Sequence, residues 1–198
     1  MGAVRGRPFT LLLPVLLAAC GGGGDEPVEA ERLSLDAARH VPVEPLPSPD
    51  TKGASWSVSA SGQAIGFGQA AGKPMLTLEC AVRADPPRIH IIRHVAARPN
   101  EKALFPVIGN GTISRFKVDA TLAGGEWRWE GELPASDSLL DVFTGPRELE
   151  ATLPGGGSLL IGGSRIPGEF VNWCRAGGQG PQPQTPEPTE TADGAKPA

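Results

Sequence analysis

Phe116-Lys117-Val118-Asp119-Ala120-Thr121-Leu122-Ala123, then Gly124-Gly125, then Glu126-Trp127-Arg128-Trp129-Glu130-Gly131-Glu132-Leu133, is the stretch on which the fold turns. Two runs of alternating apolar and polar residues flank a glycine pair, the pattern of antiparallel strands joined by a two-residue turn. A turn of that length sets the register. It places Leu122 opposite Trp127, Ala120 opposite Trp129, Val118 opposite Gly131 and Phe116 opposite Leu133, all on one face, with small residues facing large rings. The other face sets Lys117 against Glu132 and Thr121 against Arg128, while the like charges Asp119 and Glu130 are relieved by diagonal Arg128 and Lys117. Trp127 and Trp129 are therefore expected in the core, not as stacking platforms for a sugar.

Outward from this hairpin the pattern stays β. Trp56 to Ser61, Ala64 to Gly68, Met75 to Val82 and Arg88 to His94 are short, β-rich or alternating runs bounded by Gly, Pro, Asp or Lys. Arg147 to Leu153, Pro154-Gly155-Gly156-Gly157 and Ser158 to Ile161 read as a further hairpin. Two short helices interrupt the strands. One, Ser138 to Thr144, is capped by Ser136 or Asp137 and stopped by Gly145-Pro146; the other, Gly168 to Arg175, is introduced by Pro167. The fold class expected is mainly β: a small antiparallel sandwich or barrel-like domain over residues 51–175, with two short helices and disordered arms on either side.

Composition agrees with that division. Glycine (27) and proline (21) supply about a quarter of the 198 residues, yet 39% hydrophobic content leaves enough apolar surface for one core. Residues 20–50, rich in acids and ending in prolines, read as a flexible acidic tether, and residues 176–198 as a disordered, proline-rich tail. A net charge of -4 argues against nucleic acid as a partner, since such binding needs a strongly basic surface.

The N-terminus reads as an address. Arg5 and Arg7 precede the apolar run Phe9 to Leu17, which is far shorter than the roughly 20 residues that span a bilayer, so residues 1–19 are expected to be a signal peptide. Leu17-Ala18-Ala19-Cys20 resembles the bacterial lipobox. The resemblance implies cleavage before Cys20, lipid modification of its sulfur and anchoring in a membrane; Gly21, where an aspartate would retain the protein in the inner membrane, implies the periplasmic face of the outer membrane. An ordinary secretory signal with Cys20 left as a free thiol is the alternative. With Cys20 lipidated, Cys80 and Cys174 remain, and two cysteines in an oxidising compartment allow one disulfide. A reactive or metal-binding pair is the competing reading, but neither cysteine lies in a Cys-x-x-Cys spacing or close to a histidine.

Motifs of catalysis are weak. Gly66-Phe67-Gly68-Gln69-Ala70-Ala71 matches a loose dinucleotide fingerprint, but Lys73-Pro74 and a strand-like run follow where a helix is needed. Ser114-Arg115-Phe116-Lys117 matches a Ser-x-x-Lys spacing, yet on a strand its ends point to opposite faces. Arg88, His90 and His94 share one strand face, with the histidines about 13 Å apart, too far to bind one metal. Residues 83–117 are mainly basic and residues 119–150 mainly acidic. That polarity makes Arg88, His90 and His94 candidates to contact an anionic partner, with ion pairing between neighbouring strands as the other reading. No cofactor, metal set or nucleophile and base pair is assembled, so no enzymatic activity is expected.

Gly109-Asn110-Gly111-Thr112-Ile113-Ser114-Arg115, the segment from Ser136-Asp137-Ser138-Leu139-Leu140-Asp141 to Gly145-Pro146-Arg147, and Asn172-Trp173-Cys174-Arg175 resemble small lipoproteins of sphingomonad-type alphaproteobacteria. The resemblance spans most of residues 54–175 and brings no site residue with it. A looser likeness to invasion-associated locus B-type periplasmic proteins, whose further cysteines are missing here, implies the class of stapled β domain and not a role. The function expected is a binding or envelope-accessory module with a protein partner in the envelope. An inhibitor of an envelope enzyme of lysozyme or protease type, using Gly109 to Thr112 as its loop, is the alternative.

Overall fold

A computed structural model describes residues 44–185. The expected signal peptide, Cys20, most of the expected tether and the last part of the expected tail lie outside the described residues. Nine strands form one sheet: β1 (Ser55–Val58), β2 (Ala64–Gly68), β3 (Leu76–Ala81), β4 (Arg88–Arg93), β5 (Lys102–Gly109), β6 (Thr112–Ala123), β7 (Glu126–Pro134), β8 (Leu149–Leu153) and β9 (Gly157–Ile161). The order across the sheet is β1-β2-β3-β4-β7-β6-β5-β8-β9. Every neighbouring pair is antiparallel, and the sheet curls into a nearly closed barrel. A 3₁₀ helix (Ser138–Phe143) and α1 (Ile166–Arg175) complete it. The expected mainly β, barrel-like class is what the chain adopts.

The deciding hairpin forms β6 and β7 with the expected register from Leu122↔Trp127 to Asp119↔Glu130. Gly124 and Gly125 take φ of 61° and 83°, the left-handed conformation that the turn requires. Below Glu130 the expected pairs Val118–Gly131, Lys117–Glu132 and Phe116–Leu133 do not form. The β6–β7 ladder ends there; β7 goes on pairing with β4 as far as Pro134, and β6 with β5 as far as Thr112. Gly131 marks the parting: a Cβ at this position would collide with the Lys117 carbonyl oxygen. The 3₁₀ helix packs against the lower half of β6, where Ser114 Oγ donates to the Leu139 carbonyl at 2.6 Å and Phe143 stacks on Phe116 at 5.8 Å. Asp137 caps it, accepting from Leu139 N at 2.8 Å.

The strand absent from the sequence reading is β5. Pro106 in Lys102–Gly109 argues against a central strand, because proline cannot donate to a ladder. The structure places Pro106 just beyond the β8 ladder, which begins at Val107↔Ala151, so no bond is lost on that side. Asn110 and Gly111, with φ of 51° and 80°, make a tight turn between β5 and β6. An Asn-Gly pair between apolar runs is the sequence signal that identifies this hairpin.

The barrel interior is filled by side chains. Phe67, Phe105, Phe143 and Phe170 are fully buried among Ile65, Leu78, Ile89, Ile91 and Leu159. Trp56, Trp129 and Trp173 join this core, whereas Trp127, near the hairpin tip, is only half-buried and its partner Leu122 is exposed. Arg93 also points inward: Nη1 donates to the Met75 carbonyl at 3.0 Å and Nη2 to the Gly156 carbonyl at 3.2 Å, linking β4 to the β8–β9 turn. Burial pushes its pKa down to about 10.

Segments outside the expected limits of 51 and 175 join the fold. Leu46 N donates to the Gly155 carbonyl and Ser158 N to Ser48 Oγ, so the entering chain runs along the β8–β9 hairpin. On the opposite edge, Val58 N donates to Thr185 Oγ1 at 2.9 Å and Pro183 is buried. Each outermost strand therefore has one edge donor capped by an arm, which blunts pairing with foreign strands.

Candidate functional site

Cys80 and Cys174 form a disulfide, with Cα atoms 5.8 Å apart across 94 residues of sequence. On β3 the side chain of Cys80 points inward with Leu76 and Leu78. On α1, Cys174 shares the buried face with Phe170 and Val171, as the helical spacing predicts. The helix is held at its C-terminal end as well: Arg175 donates from Nε to the Ala135 carbonyl at 2.8 Å and from Nη2 to Asp141 Oδ1 at 2.7 Å. Disulfide and guanidinium together fasten the last helix to both halves of the molecule.

The three candidate contacts for an anionic partner lie on or beside β4. Arg88 Nε is hydrogen-bonded to Glu132 Oε1, and His90 Nε2 stands 3.7 Å from the same oxygen. The β4–β7 register explains this, since His90 pairs directly with Glu132 and Arg88 sits one row away on the same face. Both bases thus share an acid of their own sheet. His94, just past the end of β4, is half-buried with Nε2 2.8 Å from Thr77 Oγ1. Its pKa is lowered from the usual 6.5 by burial first and then by the charges of Arg128, Arg93 and Lys73, against which Glu130 pulls upward. The basic and acidic halves of the sequence come together as paired strands. Sequence reading left that outcome open because which strand lies beside β4 is not encoded locally.

The lowered pKa has a consequence for stability. Above pH 6.5 the His94 imidazole is neutral in folded and unfolded chains alike; below it the unfolded chain takes up a proton that the folded chain resists. Folding stability is therefore expected to decline as pH falls from about 6.5 and to level off below the lowered folded value. Urea melts of the wild type and His94→Gln over this range measure it: the variant keeps a Thr77 partner and loses the His94 part of the slope. Identical slopes would exclude the imidazole as their source.

The remaining candidates have different fates. Asn110, in the loop considered for an inhibitor, turns its amide inward: Nδ2 donates to the Val142 and Gly145 carbonyls at 2.8 and 3.1 Å, and Oδ1 accepts from Arg147 N at 3.0 Å. Gly66 to Gly68 belong to β2 and are followed by Pro74 lying against them, not by a helix. Ser114 is buried while Lys117 is exposed on the opposite face of β6, so that serine and lysine do not meet. A depression of about 410 Å³ lies between the 3₁₀ helix and the start of α1, lined by Thr144, Gly145, Pro146, Arg165, Glu169 and Asn172. Arg165 and Glu169, one turn apart at the start of α1, pair at 3.5 Å on its helix side. Among the described residues, no three of His, Cys, Asp and Glu gather as a metal site. No protein-family model, curated protein or solved structure matches the chain.

Proposed function

We propose that the protein is a lipoprotein held at the periplasmic face of the outer membrane through Cys20, and that its barrel serves there as a binding or envelope-accessory module. The observation that carries this reading is the Cys80–Cys174 disulfide, which closes 94 residues of the barrel in a chain whose leader ends in a lipobox-like sequence. Such a bond persists in an oxidising compartment, and export supplies one. The filled interior favours work done at the surface, because a barrel packed with phenylalanine and aliphatic side chains has little room for a small molecule. The inward-turned Asn110 amide leaves the inhibitor reading without a free polar side chain at its central position.

Cys20→Ala tests the anchor. The variant is expected to lose incorporation of labelled fatty acid and to move from the membrane to the soluble fraction, with the barrel still folded and its disulfide formed. A stable anchor needs two or more acyl chains, so the partition should change from nearly complete to negligible. Normal maturation and continued sedimentation with membranes would overturn the proposal. In the wild type, density separation of inner and outer membranes checks the leaflet assignment, and recovery with the inner membrane would remove it.

A further inference from the structure

Six large aliphatic side chains are exposed among the described residues, and four of them, Leu104 (50%), Ile108 (47%), Ile113 (54%) and Leu160 (53%), lie on one outer face of the barrel. The register makes them neighbours. Ile113 pairs with Ile108, Ile108 with Glu150 and Glu150 with Leu160, a single row across β6, β5, β8 and β9, and Leu104 extends it along β5. Aliphatic groups in such an array lose solvent-exposed area only by meeting another surface.

We propose that this face pairs with the same face of a second copy of the chain, about a two-fold axis lying along β5 in the plane of contact. Charge supports a self-complementary arrangement. Arg115 on β6 and Glu150 on β8 are both exposed, and neither has an ion-pair partner among the described residues. They flank β5 on its two sides. A two-fold along β5 lays the β6 side of one copy over the β8 side of the other, bringing Arg115 toward Glu150 twice, while Ile108 and Leu104 meet their own counterparts near the axis. A uniformly anionic surface fits less well, because Glu150 stands in the middle of the row. Strand addition is hindered too, since Ser48 and Thr185 cap edge donors of β9 and β1.

The area is that of a weak, transient contact. Two strands of about 26 Å and two five-residue strands of about 16 Å, spaced about 4.8 Å apart, cover at most about 400 Å² per copy, or about 800 Å² in all. The dimer proposed is accordingly weak, of micromolar strength, and not a permanent one.

The test is the mass of the full chain, extracted with its anchor in mild detergent and followed by light scattering up to roughly 100 µM, where a micromolar dimer is saturated. The wild type is expected to double in protein mass. Ile108→Arg should weaken the dimer roughly a hundredfold, because the two introduced guanidinium groups would face each other near the axis, with no change in melting temperature. Arg115→Glu should weaken it about tenfold, and Arg115→Glu combined with Glu150→Arg should restore it. A monomer at every concentration would overturn the proposal, as would association that Ile108→Arg leaves intact, the signature of shared micelles. Failure of the charge exchange to restore the dimer would overturn the two-fold arrangement.

Discussion

Loss of the Cys80–Cys174 disulfide is expected to lower the melting temperature by roughly 10 to 20 °C. Closing a loop of 94 residues restricts the unfolded chain, and the chain-entropy relation assigns that restriction about 4 to 5 kcal/mol, an upper figure. At this domain size each kcal/mol moves the midpoint by about 3 to 5 °C. Cys80→Ala with Cys174→Ala is the cleaner variant, because both positions are buried and serine would bring an unpaired hydroxyl into the barrel. The core is large enough for the reduced domain to stay folded at room temperature: α1 keeps Phe170, Val171 and Trp173 buried, and Arg175 still clamps its end. Alkylation of the denatured, unreduced wild type should label neither Cys80 nor Cys174. A double variant that melts within about 2 °C of the wild type would show that the loop contributes little chain entropy to stability.

Phe143→Ala is expected to cost about 3 to 5 kcal/mol, the range for removing a fully buried aromatic ring. The position is unforgiving for a specific reason. β6 and β7 part at Gly131, and the 3₁₀ helix packs beside the half of β6 that β7 leaves unpaired, with the Phe143 ring against Phe116. A cavity here cannot collapse by strand movement, because β6 is held by β5 on its other side through Thr112. Phe143→Leu, which keeps most of the volume, should cost clearly less. Denaturant titration of both variants separates packing from chain propensity: equal losses would mean that the ring's volume does not matter, contrary to this account. Leu139→Ala, on the partly exposed side of the same helix, should cost less than Phe143→Ala.

What was legible in the sequence was local. The β6–β7 register near the turn followed from two glycines and an alternating pattern, since a two-residue turn leaves the first pairs no freedom. The buried face of α1 followed from spacing, and the cysteine pairing from a count that takes Cys20 as the lipid anchor; the cap was narrowed to Ser136 or Asp137, of which the structure uses Asp137. Two features were misread even though their cues were present. β5 was left unassigned and Gly109 to Thr112 was read as a loop, although Asn110-Gly111 between apolar runs marks the hairpin with β6; and the hairpin register was carried past Gly131, the one residue in β7 whose missing side chain lets a neighbouring carbonyl approach closely.

The sequence by itself therefore determined the class of the fold, the Gly124-Gly125 turn and, with Cys20 read as the anchor, the Cys80–Cys174 staple, because these rest on interactions between residues close in the chain or on the two cysteines that remain. Only the tertiary structure decided that β7 lies between β6 and β4 and parts from β6 at Gly131, that Arg88 and His90 share Glu132, that Arg93 reaches the β8–β9 turn, and that Leu104, Ile108, Ile113 and Leu160 come to lie together on an outer face. Each of these depends on which strands become neighbours when the sheet curls. That choice is made by the packing of the whole interior, so no single stretch of the chain carries it.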